Sequence, residues 1–249
     1  MELQMRHLIQ ILILLSFGLI ISCGKTGNKD QGLAGNGVYQ NETIMADGSN
    51  IKGTYASVLR PLNKNIHMPT LGTAAVQRVG DTFSAFVKIK SGQRGTTFKQ
   101  AIYTGRRCPD IKDDLNKDAY VDINEALVAI GEIVIPLDIN IDSQLGGSNN
   151  YPRGDIASGS FFYRATASFE RMFADLKTPD ENSYDNVIKL GANDGLTFPG
   201  RIILIQGVNE KFFLPPTVGT VGVENAHETI PLACGVLWKV SALPKELTQ

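Results

Sequence analysis

Along most of the chain, apolar and polar positions alternate in short runs that glycine-rich turns cut apart. Phe83, Ala85, Val87 and Ile89 fall on one side of a period of two, with Ser84, Phe86, Lys88 and Lys90 on the other. Successive side chains leave a strand on opposite faces, so this pattern predicts a half-buried strand. Gly80-Asp81 supplies the turn before it, and Thr73 to Val79 reads as the other arm. Gly53 to Arg60 predicts a first strand, ended by Pro61, and Phe98 to Thr104 predicts another. Ile133, Val134, Ile135, Leu137, Ile139 and Ile141 continue the sheet content, and Gly146 to Asn150 reads as a loop. Phe161 to Arg164, the apolar run Ile202 to Ile205, and Leu232 to Val240 complete the strands, with Trp238 at a sheet face or end.

One stretch changes period. Phe169, Met172, Phe173 and Leu176 fall at i, i+3, i+4 and i+7, between Ser168 as N-cap and Pro179. That spacing predicts a short amphipathic helix packed on the sheet. Ile123, Leu127 and Ile130 predict a second short helix, stopped near Gly131. Many short strands with glycine-rich turns and one or two short helices read as an all-β sandwich or barrel with loop insertions.

The N-terminus follows neither pattern. Residues 8–21 are nearly all apolar, broken by Gln10 and Ser16 and preceded by Arg6. This reads as the apolar region of a secretory signal peptide over residues 1–22, too short for a membrane span. Ile20-Ile21-Ser22-Cys23-Gly24 resembles the bacterial lipobox. The resemblance implies cleavage before Cys23 and lipid on Cys23, and Gly24 in place of Asp implies the outer membrane. Residues 23–52 are rich in Gly, Asn, Asp and Lys, and read as a lipidated flexible tether. As a random coil it would hold the domain about 30 Å from the lipid. A domain over residues 53–241 and a C-terminal tail over 242–249 follow.

Composition narrows the partners. The chain has 249 residues, 43% of them hydrophobic, and a formal net charge of −1. That suits one domain plus a targeting segment, and gives no basic excess for binding nucleic acid. The implied partner is a membrane, through the lipid anchor. The localisation is the cell envelope, facing the periplasm or the cell surface.

The most specific chemistry lies in an insertion over residues 108–131. With Asp114 as position one, Asn116 is position three, Asp118 five, Asp122 nine and Glu125 twelve of a twelve-residue loop. Tyr120 at position seven would give its backbone carbonyl. This matches the EF-hand calcium pattern at every position but one. Calcium needs hard oxygens converging on one point, closed by a bidentate carboxylate such as Glu125. The exception is Ala119 at position six, where the pattern has Gly. A left-handed Ala costs about 1–2 kcal/mol, which weakens binding about five- to thirtyfold. Gly105 and Pro109 leave room for only a turn before Asp114, so the loop lacks the first EF-hand helix.

Three stretches together resemble the copper/zinc superoxide dismutase family, a Greek-key β-barrel. They are Gly80-Asp81-Thr82 with the alternating strand, Gly92, Gly95 and Phe98; Gly200-Arg201-Ile202-Ile203-Leu204-Ile205-Gln206; and Leu232-Ala233-Cys234-Gly235-Val236. The resemblance spans about residues 53–240. It implies a disulfide between Cys108 and Cys234, because the family joins a loop cysteine to the one in its closing strand. The catalytic parts are not matched. The family's H-x-H strand is here Phe98-Lys99-Gln100-Ala101-Ile102-Tyr103, its histidine after G-R is Gln206, and its active-site Arg is Pro231. Downstream of Cys23 only His67 and His227 remain, both expected on exposed loops. Gly154-Asp155-Ile156 resembles the family's zinc-ligating Asp but lacks histidine partners. Copper and zinc are therefore not expected.

The function these features predict is a non-catalytic envelope lipoprotein, with a calcium-stabilised β-sandwich as a binding or structural module. The alternatives are a divergent metalloenzyme with relocated ligands, and a metal carrier or sensor. No G-x-S-x-G, phosphate loop or H-E-x-x-H occurs.

Overall fold

The structure is a computed structural model that describes residues 43–66, 72–90, 96–142, 150–154, 160–178, 190–222 and 224–248. Its main element is a curled antiparallel sheet of nine strands. They are β1 (Gly53–Pro61), β2 (Gly72–Val79), β3 (Thr82–Ile89), β5 (Lys99–Tyr103), β6 (Ile133–Pro136), β8 (Phe161–Ser168), β9 (Ile202–Gln206), β10 (Pro231–Val236) and β11 (Trp238–Val240). The order is β6-β5-β9-β10-β1-β2-β3-β8, with β11 beside β1. A separate ribbon pairs β4 (Thr96–Thr97) with β7 (Arg153–Gly154). Among the described residues, three short α-helices join the strands: α1 (Ile123–Ile130), α2 (Phe169–Lys177) and α3 (Ala226–Thr229).

The alternating pattern becomes a two-sided sheet. β2 and β3 form a hairpin in register from Gly72↔Ile89 to Val79↔Thr82, turned by Gly80-Asp81 with Gly80 at φ +60°. A positive φ suits the primed turns that match strand twist. One core draws on both ends of the sheet, with Tyr55, Val76, Phe83 and Tyr163 from one half and Phe98, Ile102, Val134 and Ile203 from the other. A flat sheet could not bring these together. The curl closes them around Phe198, whose ring stacks on Phe83 and tilts against Tyr55.

Helix α2 forms where the period of 3.6 begins. Ser168 caps it, and Phe169, Met172, Phe173 and Leu176 are all buried. Asp81 in the hairpin turn also serves this helix, because its carboxylate accepts from the Ser168 hydroxyl and the Glu170 amide. A carboxylate there pairs with the positive end of the helix dipole. The hydroxyl first, and then the amide, hold the Asp81 carboxyl below the usual range.

The strand containing Ile133 ends earlier than its apolar run. Pro136 has no amide to donate, and Asp138 Oδ1 accepts from Asn140 N in a local turn. Conversely, β8 runs on to Ser168, because it pairs residue for residue with β3. The closing stretch is two strands, not one. At Leu237 the chain turns to Gly200 and Arg201, so β10 pairs with β9 while β11 crosses to β1. Gly235 is required where β10 passes β1, since a Cβ there would fall against Ser57 and the Val58 carbonyl.

Packing extends beyond both expected domain boundaries. Ile51, placed in the tether by composition, is fully buried, and Asn50 donates to the Leu196 carbonyl. Leu247 in the expected tail is buried against Ala56, Ala75 and Phe86.

Candidate functional site

The insertion leaves β5 at Tyr103 and returns to it through β6, so it lies over one face of β5, β9 and β10. Its underside is a second core of Val121, Ile123, Ala126 and Ile130 against Ala101, Tyr103, Ile202, Leu204 and Cys234. A disulfide joins Cys108 to Cys234, with Cα atoms 5.8 Å apart and a separation of 126 positions in sequence. The insertion is thereby stapled to the sheet strand beneath it.

After Cys108 the chain makes one 3-10 turn, Ile111–Asp113, with Asp110 and Asp113 in a reciprocal capping box. Arg107 donates two bonds to Asp113, at 2.7 and 2.6 Å. This fork holds the Asp113 carboxyl below the usual range. Arg107 is exposed, so the pair orients the turn more than it stabilises it.

The acidic loop then folds on its own carboxylates. Asp114 accepts from the amides of Asp118 (3.2 Å) and Ala119 (2.9 Å). Asn116 Oδ1 accepts from Asp118 N, and Asp118 Oδ1 accepts from Tyr120 N. Glu125 Oε1 reaches back to the amides of Leu115 (2.7 Å) and Asn116 (3.1 Å), which draws position twelve onto the start of the loop. Lys117 and Ala119 have φ of +60° and +71°. Position six thus carries the left-handed backbone that the motif gives to glycine. Tyr120 packs its side chain against the main core.

Two further carboxylate oxygens reach a loop about a hundred residues away in sequence. Thr217 Oγ1 donates to Asp118 Oδ2 at 2.6 Å, and Gly219 N donates to Asp122 Oδ2 at 2.6 Å. Asn116 Nδ2 donates to the Thr217 carbonyl. Asp122 and Glu125 form the capping box of α1. Two residues expected as ligands therefore also start a helix. Among the described residues, no group of three or more His, Cys, Asp and Glu side chains is placed to hold one ion.

Asn63 binds this loop to the sheet and was not predicted. It is buried, donates to the carbonyls of Val121 (3.0 Å) and Pro231 (2.8 Å), and accepts from Val121 N (2.8 Å). A single Asn after Pro61-Leu62 carries no sequence signal for such a role.

The stretch where the resembled family has its histidines is the buried strand β5. Lys99 lies opposite Gln206 in the β5–β9 ladder and makes an ion pair with Glu224. Gln206 Nε2 donates to the Thr229 carbonyl. Pro231 begins β10. His227 is half-buried on α3, not on an exposed loop, with Nε2 2.7 Å from the Phe212 carbonyl. Cys23, His67 and Asp155 lie outside the described residues.

Compared with known proteins, the chain matches no family model and no curated sequence. The reading of function therefore rests on the residues and their geometry.

Proposed function

We propose that this protein is a lipid-anchored, non-catalytic envelope module. Its Greek-key, superoxide dismutase-like β-sandwich is stabilised by the Cys108–Cys234 disulfide and by one calcium ion. The strand order supports the Greek-key reading. β1, β2 and β3 are neighbours, the chain crosses to lay β5 and β6 at the far end, and it returns to set β8 beside β3.

The observation that carries the non-catalytic reading is the Lys99–Gln206 pair. A cation and an amide face each other where a copper site would need imidazoles, and Glu224 neutralises Lys99. An ammonium repels a divalent metal, and an amide is a poor copper ligand.

The calcium reading rests on the donor set. Asp114, Asn116, Asp118, Asp122 and Glu125 offer only hard oxygens, with Tyr120 giving its carbonyl. Each carboxylate has about four lone-pair sites, so the hydrogen bonds above leave capacity for a cation. The left-handed Ala119 supports the same reading.

The test is metal analysis of the full chain with melting curves in calcium, copper and zinc. Calcium alone should raise the melting temperature, by about 2.7 kcal/mol in stability at 100 times the dissociation constant. One equivalent of tightly held copper or zinc would overturn the non-catalytic reading. Unmoved melting curves in calcium would remove the ion from it.

A further inference from the structure

Asp138 follows β6 at the open side of the half-barrel and is fully buried. Its Oδ1 accepts from Asn140 N, while its Oδ2 has no hydrogen-bond partner among the described residues. The neighbouring polar groups make the same demand. Gln100 donates its amide to the Leu137 carbonyl, the peptide group that leads into Asp138, and Gln100 Oε1 is also buried without a partner. Acceptors are in excess here. A buried acceptor left unpaired costs free energy, and a buried unpaired charge costs more. A neutral carboxylic acid turns one of these unpaired acceptors into a donor and removes the charge.

The position matters because β6 and β8 are the two ends of the sheet order. Tyr163 on β8 donates its hydroxyl to the Asp138 carbonyl at 2.5 Å, tying β8 to the segment after β6. A groove of about 600 Å³ runs beside this tie, lined by Ile139, Pro152, Phe161 and Tyr163 among others.

We propose that Asp138 is a pH-sensitive clasp: its neutral form holds the segment after β6 against β8, and its ionisation loosens that seam and opens the groove beside it. Among the described residues, the groups around it give no cation to offset the charge directly. Asp142, on the same segment, pairs with Arg171 and raises the cost of a second carboxylate. Tyr151 and Tyr163 face Asp138, and burial pushes both phenols well above their ordinary value, so neither ionises first. Lys99 lies beyond the Tyr151 ring and is committed to Glu224. Arg153 and Arg164 line the groove, and Arg164 lies over the Phe86 ring. Burial, and then Asp142, push the Asp138 carboxyl up to about 6, against the Asn140 amide, which lowers it.

The sign follows from linkage. A carboxyl raised from 3.8 to about 6 on folding gives stability that is fully present below pH 3.8 and is lost as pH rises through about 6. The test compares the full wild-type chain with Asp138→Asn, which keeps an oxygen for the Asn140 amide. Melting is followed from pH 4 to 7.5, with backbone hydrogen exchange of residues 137–142 corrected for its intrinsic pH dependence. The wild type should lose melting temperature and gain exchange in the seam as pH rises through 6, and Asp138→Asn should do neither. Should the variant fail to fold, infrared spectra of the wild type still decide, since a protonated buried carboxyl band should persist at pH 5. Equal pH slopes in the two proteins, or a carboxyl that titrates near 3.8, would overturn the clasp.

Discussion

Asn63 and Val121, 58 residues apart in sequence, exchange a pair of hydrogen bonds, and the same Asn63 amide reaches the Pro231 carbonyl. One buried side chain thus joins position eight of the acidic loop to the first residue of the disulfide-bearing strand β10. The insertion and the closing strand are held twice, by this amide and by Cys108–Cys234.

Asn63→Ala leaves the Val121 amide and two carbonyls without this partner. A buried group stripped of its partner costs about 1–3 kcal/mol. The expected loss is about 2–4 kcal/mol in urea unfolding, with the disulfide intact. On the proposed calcium reading the variant should also bind the ion more weakly, since Val121 lies inside the loop. A change below about 0.5 kcal/mol would show that the cluster relaxes around the gap.

Breaking the disulfide should act more strongly. A loop of 126 residues constrained by one bridge gains about 4–5 kcal/mol in the chain-entropy model. Cys108→Ala with Cys234→Ala should lower the melting temperature by about 8–20 degrees. In the native protein neither cysteine should react with thiol reagents before reduction. Free thiols in native material would contradict the pairing.

Ala119→Gly should stabilise the protein even without calcium. Its φ of +71° costs an alanine about 1–2 kcal/mol that a glycine does not incur. Glycine also gives back part of this through the unfolded chain, so a net gain near 1 kcal/mol is expected. Calorimetric titration should show calcium affinity rising in parallel, while Glu125→Gln should nearly abolish binding. Weaker calcium binding by Ala119→Gly would mean that the loop changes shape around the ion.

The Lys99–Glu224 pair gives an asymmetric expectation. Lys99 is buried, so Glu224→Gln removes the carboxylate that offsets its charge and should cost about 3–5 kcal/mol. Lys99→Met with Glu224→Gln together should cost much less, because no charge is left unpaired. A double-mutant cycle by chemical denaturation measures this. Additive losses would mean that the pair is not coupled.

The sequence by itself determined the local elements. The period of two in β3, the cap at Ser168 and the apolar stripe of α2 are short-range signals, and each led to the element that forms. The spacing from Asp114 to Glu125 predicted a set of calcium ligands, and it was the structure that showed these carboxylates accepting from the loop's own amides. Tertiary structure decided what depends on distant chain. The curl of the sheet, the split of the closing strand at Leu237 and the burial of Ile51 and Leu247 follow from which strand lies alongside, and composition carries no trace of that. Likewise Asn63, Lys99 and Asp138 look like ordinary polar residues in the sequence. Their roles arise only when folding removes water, so that each buried polar atom must find a partner on another element or remain without one.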